Sequence, residues 1–357
     1  MNLRPESRAF LEKYLNNPSP TGFEWKGQQI WLDYLKPYID GYELDVYGSV
    51  AAVLNPGRDY KVVIEAHADE ISWFVNYISE DGFIYVIRNG GSDHQIAPSM
   101  RVHLHGDKGL VEGVFGWPAI HVRKPEKEEG PSLKNIIIDV GASSRQEVLD
   151  MGIHPGTVIT YQDKVTFLNE KFLTGRALDN RIGGYIIAEA ARLLREKNFE
   201  LPYTLFVVNA VQEEIGLRGA EMISRRLKPD VAIVTDVCHD TSTPQYEPKE
   251  QGDQRCGRGP VLTFGPAVQN NLLRHLIQVA QQSGIPFQYA AVSRSTGTDT
   301  DAFAYSGEGV ASALISLPLR YMHTTVETVH LGDLQQVIDL LVAYLMDLKP
   351  GTSYKYF

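Results

Sequence analysis

Four apolar runs in this chain each end on groups that can bind a cation or move a proton. His67 and Asp69 follow Lys61 to Ala66, and Glu213 and Glu214 follow Tyr203 to Val211. Asp236 follows Val231 to Val234, and Arg320, Tyr321 and His323 follow Ala311 to Ser316. In open α/β sheets ligands bind at the carboxyl ends of the strands, so groups placed there are the first candidates for chemistry. Any one of them alone reads blandly: a single histidine after a strand is more often a satisfied structural group, and a Glu-Glu pair is usually a solvated face. Together they are harder to dismiss, because several carboxylates in one partly dry cleft repel one another and must be offset by protonation or a bound cation. Mixed imidazole and carboxylate donors suit zinc, cobalt or manganese better than calcium or magnesium, which prefer oxygen alone. Asp69 stands two residues from His67 on the same side of an extended chain, where it can hold the second ring nitrogen.

The elements that would position these groups read as an α/β domain interrupted by a β domain. Helical apolar spacing predicts helices over Ser7 to Leu15 and Glu24 to Leu35, separated by a Pro-Ser-Pro-Thr-Gly breaker. Short β-branched segments follow at Glu43 to Leu54 and Lys61 to Ala66, the second a continuous apolar run of the buried kind. From about Ile71 to Tyr161 short strands, glycine turns and aromatics prevail, with one weak helix over Ser143 to Met151 and a solvated, mobile loop over Arg123 to Ser132. Beyond Thr174 helices and strands alternate again. The expected fold is therefore α/β, a mostly parallel sheet covered by helices on both faces, with a small all-β domain inserted. Residues 1–70 and 166–357 would form the catalytic domain, and residues 71–165 the inserted unit, PDZ-like or barrel-like.

Bulk properties remove several function classes. At 357 residues, 43% hydrophobic and 22% charged, the chain has the composition of a globular protein with a large core. A net charge of -10 argues against nucleic acid as partner, since phosphate binding needs a concentrated basic face. No apolar run approaches the roughly 18 residues that would cross a bilayer, which excludes a membrane role. Cys238 and Cys256 cannot build a disulfide framework, and Met1 to Phe10 carry no signal-like apolar run, so a cytoplasmic location is expected.

The motifs Ala66-His67-Ala68-Asp69-Glu70, Arg176-Ala177-Leu178-Asp179-Asn180-Arg181, Gln212-Glu213-Glu214-Ile215-Gly216-Leu217-Arg218-Gly219-Ala220, Asp236 and Leu319-Arg320-Tyr321-Met322-His323 occur in this order. With them the chain resembles, nearly end to end, the tetrahedral and glutamyl aminopeptidases, exopeptidases with two co-catalytic zinc ions. The resemblance implies that Asp179 bridges two divalent ions, zinc first with cobalt or manganese as alternatives. His67 and Asp236 would complete one site and Glu214 and His323 the other, with Glu213 as general base and Asp69 supporting His67. It also implies peptide substrates, and dimers formed through the inserted domain that assemble into a hollow tetrahedral dodecamer. The family's usual Gly-Gly-Thr-Asp segment is Thr296-Gly297-Thr298-Asp299 here, followed by Thr300-Asp301. His94, in the turn from Gly90, stands where another residue is expected.

Other readings compete with this one. A di-metal deacylase or carboxypeptidase would use the same ligands on a different bond. A glycoside hydrolase needs only a carboxylate pair and leaves His67 and His323 without a purpose. His103 and His105 alternate like a ligand pair but fall in the β domain, away from the other strand ends. Structural roles are expected for His121, His154, His239, His275 and His330. Cys238 reads as a buried small thiol. The Gly-rich segment Gln251 to Gly259 around Cys256 lacks the strand-to-helix context of a nucleotide site. Arg294 and Arg320 read as charge-balancing, with selection of acidic substrate side chains as the alternative.

Overall fold

The computed structural model describes residues 4–123 and 129–357. Its main sheet has a parallel centre because its strands are continuous apolar runs that helices cover on both faces. Thr204–Ala210, Lys61–His67, Val231–His239 and Ala311–Arg320 lie side by side in that order, all parallel. Antiparallel strands flank them, Val50–Leu54 and Gly41–Leu44 on one side, Glu327–His330, Phe172–Gly175 and Thr166–Leu168 on the other. Val261–Phe264 branches from Ala311–Arg320 and pairs with Gln288–Ala291, giving a mixed sheet of eleven strands among the described residues.

Pro5–Asn16, Trp25–Leu35, Leu178–Glu196, Asn270–Gln282 and Leu331–Asp347 pack in one connected group of helices. Arg218–Leu227 packs instead with the short helix Thr300–Ala304. Leu178–Glu196 and Thr300–Ala304 both rest on Val231–His239 from these separate groups, so the sheet is covered twice. The single segment expected over Glu43 to Leu54 is a hairpin. Asp45 Oδ1 accepts the backbone N–H groups of Tyr47, Gly48 and Ser49 at 2.8–3.0 Å and closes its turn.

The inserted segment is a closed six-stranded antiparallel barrel in the order Ser72–Ile78, Ile84–Asn89, Ile137–Asp139, Gly109–Gly116, Arg101–Gly106, Val158–Tyr161. Closure leaves no free strand edge. The barrel has a core of its own around Trp73, Ile84, Leu104, Phe115 and Ile159, apart from the core of the main sheet. The helix in this segment spans Arg145–Asp150 and is capped by Ser144, whose Oγ accepts from Glu147 N. Part of the loop expected over Arg123 to Ser132 lies outside the described residues. No helix of the described residues is long and apolar enough to cross a membrane.

Candidate active site

Parallel register brings the strand ends level. Ala210 pairs with His67, and Val234 pairs with Glu65, each two residues short of Asp236 and His67 respectively. Glu213 and Glu214 follow Thr204–Ala210 in a turn whose backbone N–H groups reach Asp69: Glu213 N lies 3.0 Å from Oδ1 and Glu214 N 3.2 Å from Oδ2. Asp69 is fully buried, accepts Thr21 Oγ1 at 2.9 Å, and places Oδ1 3.3 Å from His67 Nδ1. It therefore holds His67 and the Glu213–Glu214 turn together.

Asp179 enters from another direction, at the start of helix Leu178–Glu196 rather than at a strand end. Its Oδ1 lies 3.3 Å from His67 Nε2 and its Oδ2 3.4 Å from His323 Nε2, so the carboxylate spans the two imidazoles. Glu214 Oε2 lies 3.6 Å from His323 Nε2, and Glu213 Oε2 3.8 Å from His67 Nε2. Candidate ligand atoms fall within 4.8 Å of one another in three sets: His67 with Asp179 and Asp236, Asp179 with Glu214 and His323, and His67 with Glu213 and Glu214. All seven site residues expected from the sequence thus meet in one place.

Glu327 completes the support, and no sequence signal marked it. This buried carboxylate accepts Asp179 N at 3.0 Å and His323 N at 2.7 Å. Left-handed backbone surrounds the cluster at Ala177, Gln212, Leu217, Tyr321 and His323, none of them glycine. Such strain collects at functional sites, where the surrounding structure enforces it.

The electrostatics are those of a site short of positive charge. Burial, joined by Asp179, raises Glu214 well above the usual carboxylate range, and burial likewise raises Asp236. Burial also lifts Glu213 to about 8, with Asp299, Asp179 and Asp69 adding to it. For Asp179, burial pushes upward but the facing His323 and His67 imidazoles outweigh it and hold the carboxyl low. Burial would depress His67, yet Glu213, Asp179 and Asp69 together raise it.

A pair of cations fits this donor set. Glu214 Oε1 is buried without a hydrogen-bond partner among the described residues. Imidazole–carboxylate separations of 3.3–3.6 Å exceed the usual hydrogen bond of about 2.7–3.2 Å. They match the edges of a tetrahedron around zinc, about 3.3–3.6 Å for bonds of roughly 2.0–2.2 Å.

A cavity of about 960 Å³ opens onto the cluster and is lined by His67, Asp179, Glu213, Glu214, Asp236 and His323. Cys238 and His239 also line it, although both were expected to be structural. The Nδ1 of His239 lies 3.1 Å from Tyr246 Oη. Of the unassigned segment, Thr296, Thr298 and Asp301 line the cavity, whereas Asp299 is fully buried beside Glu65.

The remaining candidates lie elsewhere. His94 bonds Arg88 at 2.5 Å, and His105 bonds Thr160 Oγ1 at 2.9 Å. His103 pairs across strands with Glu112. His275 bonds Asp347 and Tyr354, each at 2.7 Å, while His154 and His330 stand near Asp107 and Asp333. None of these histidines, nor His121, joins a metal-like group among the described residues. Arg320 is held by Asp240 at 2.6 Å and stacks on Phe172, which fits the charge-balancing reading.

The sequence profile of the M42 glutamyl aminopeptidases matches residues 48–340. The lysyl aminopeptidase of Pyrococcus furiosus is 36% identical over 345 residues, 95% of this chain and 97% of that protein. The glutamyl aminopeptidase of Lactococcus lactis is 28% identical, over 90% of this chain and 89% of that one. Among solved structures, a TET aminopeptidase from a marine sediment archaeon of the Thaumarchaeota superposes with a TM-score of 0.91 at 28% identity, covering 97% of this chain and 98% of that one. The TET1 peptidase of Pyrococcus horikoshii, which can assemble into a tetrahedron or a large octahedral shell, gives 0.84 at 26% identity, covering 96% of this chain and 100% of that one. The chain belongs to the M42 glutamyl aminopeptidase family and is an aminopeptidase.

Proposed function

We propose that the chain hydrolyses the first peptide bond of its substrates with two divalent ions, zinc first and cobalt or manganese as alternatives. Asp179 would be shared between the ions, His67 and Asp236 would hold one, and Glu214 and His323 would hold the other. The observation that carries this reading is the Asp179 carboxylate, with one oxygen 3.3 Å from His67 and the other 3.4 Å from His323. Bound divalent ions supply Lewis acidity, which polarises the scissile carbonyl and makes water acidic enough to attack near neutral pH.

The chain's own groups manage the proton. Glu213 takes it from the attacking water as the oxygen bonds to the carbonyl carbon, then delivers it to the departing amine as the C–N bond breaks. A carboxyl raised by burial suits both halves of that transfer. Asp69 keeps Glu213 in reach through the Glu213 N–H and orients His67. Belonging to an aminopeptidase family sets aside the glycosidase and deacylase readings. The same proposal places the enzyme in the cytoplasm as a dodecamer built from six dimers, each joined through the barrel of residues 71–165, with residues 1–70 and 166–357 forming the catalytic domain. Light scattering is expected to return twelve copies of the chain.

The test separates base from ligand. Glu213→Gln is expected to retain two metals per chain by elemental analysis while turnover falls about 10²–10⁴-fold. Glu214→Ala is expected to lose metal as well. Full activity in Glu213→Gln, or full metal content in Glu214→Ala, overturns the assignment.

A further inference from the structure

The cavity carries a second set of charges beyond the cluster. Away from the proposed ligands and Glu213, its charged lining consists of Glu250 and Asp301, and no lysine or arginine among the described residues lines it. Glu250 stands on the short helix Pro248–Gln251 and makes no side-chain hydrogen bond or ion pair among the described residues. Asp301 accepts the backbone N–H groups of Thr296, at 3.0 Å, and Gly297, at 3.2 Å, and no cation pairs with it among the described residues. Ala290, Ala291 and Val292 give the same cavity an apolar stretch. Of the two arginines that could have received an acidic side chain, Arg320 is held by Asp240, and neither Arg320 nor Arg294 is part of the lining.

On the aminopeptidase reading of this site, we propose that the cavity selects peptides with a cationic N-terminal side chain, lysine or arginine. The alkyl stem lies along Ala290 to Val292 and the head group reaches Asp301 and Glu250. Long basic side chains are suited to this division, burying the stem while the charge meets a carboxylate. A glutamate or aspartate side chain would instead meet like charge in a partly dry pocket.

The metal-loaded enzyme is assayed with Lys, Arg, Leu and Glu aminoacyl reporters, and free L-lysine, L-leucine and L-glutamate are titrated into it calorimetrically. In the unaltered chain Lys and Arg are expected to exceed Leu in kcat/KM about tenfold or more, with Glu lowest, in line with charge-assisted hydrogen bonds. Asp301→Asn is expected to reduce the Lys/Leu ratio about tenfold, chiefly through KM. Glu250→Gln, at an exposed position, should reduce it about threefold.

Asp301 also shapes its loop, so Glu250→Lys provides the independent arm: the Glu/Lys ratio should rise and lysine binding should weaken. The proposal is overturned if Leu or Glu reporters match Lys in the unaltered chain, or if neither Glu250 variant moves the ratios. Hydrolysis of no reporter at all would count against the two-metal reading instead. Lysine binding by calorimetry then still decides the pocket: tighter than leucine and glutamate in support, no tighter in refutation.

Discussion

At the scale of single residues, Glu327 shows how the site is held together by a group that binds nothing itself. Its two oxygens take the backbone N–H groups of Asp179 and His323, so its removal leaves two buried donors without acceptors and frees two proposed ligands at once. Each orphaned donor costs about 1–3 kcal/mol. Loss of a supporting group of this kind typically weakens metal binding about 10–100-fold. Glu327→Ala is therefore expected to lower the urea midpoint and, in competition with a chelating dye, to bind zinc more weakly by that factor; unchanged affinity would remove the role. His67, Glu213, Glu214 and Asp236 were legible in the sequence because each stands within three residues of the end of an apolar run. Asp179 starts a helix, where no periodicity distinguishes it, and only the resemblance singled it out. Glu327 had no signal, since the strand it begins is four residues long and preceded by an irregular turn. His239 was assigned a structural role because a lone histidine has no ligand spacing, yet the end of its strand opens on the cavity.

At the scale of elements, the barrel contributes to the site through the segment that leaves strand Ile84–Asn89. A Cβ placed on Gly91 would lie 2.6 Å from two ring atoms of His323, closer than real side chains come. The Gly91 backbone also lies against that ring and joins Asp179 in raising its pKa. Gly91→Ala is thus expected to displace His323 and lower metal content from two ions per chain toward one, with circular dichroism unchanged; full occupancy would show that the ring can yield. The four parallel strands were readable because continuous apolar runs have few other uses. Thr166–Leu168, Val261–Phe264 and Glu327–His330 were missed because runs of three or four residues carry no period to detect. The turn that divides Glu43 to Leu54 depends on one side chain, Asp45, accepting three N–H groups, a contact visible only after folding.

At the scale of the whole molecule, two cores must stay folded together, and the barrel histidines make that stability depend on acid. His105 is half-buried, bonded to Thr160, and feels His103, Glu70, Lys26 and Arg176. Burial is the main cause that brings its pKa down to about 4, with the His103, Lys26 and Arg176 charges lowering it further against Glu70. An unfolded chain titrates the same imidazole near 6.5. Above that pH neither state is protonated and His105 adds no pH dependence. As the pH falls from about 6.5 to about 4 the unfolded state binds the proton and the native state does not, so stability is lost across that window and the loss levels off below it. His105→Gln keeps a hydrogen-bonding side chain and removes the titration. Measured by urea unfolding, the variant should gain on the unaltered chain as the pH is lowered from 7.5 to 5. Acidic groups of the active site titrate identically in both proteins and cancel in that difference. A difference that stays constant between the two pH values would mean that His105 takes its proton as easily in the fold as in the unfolded chain.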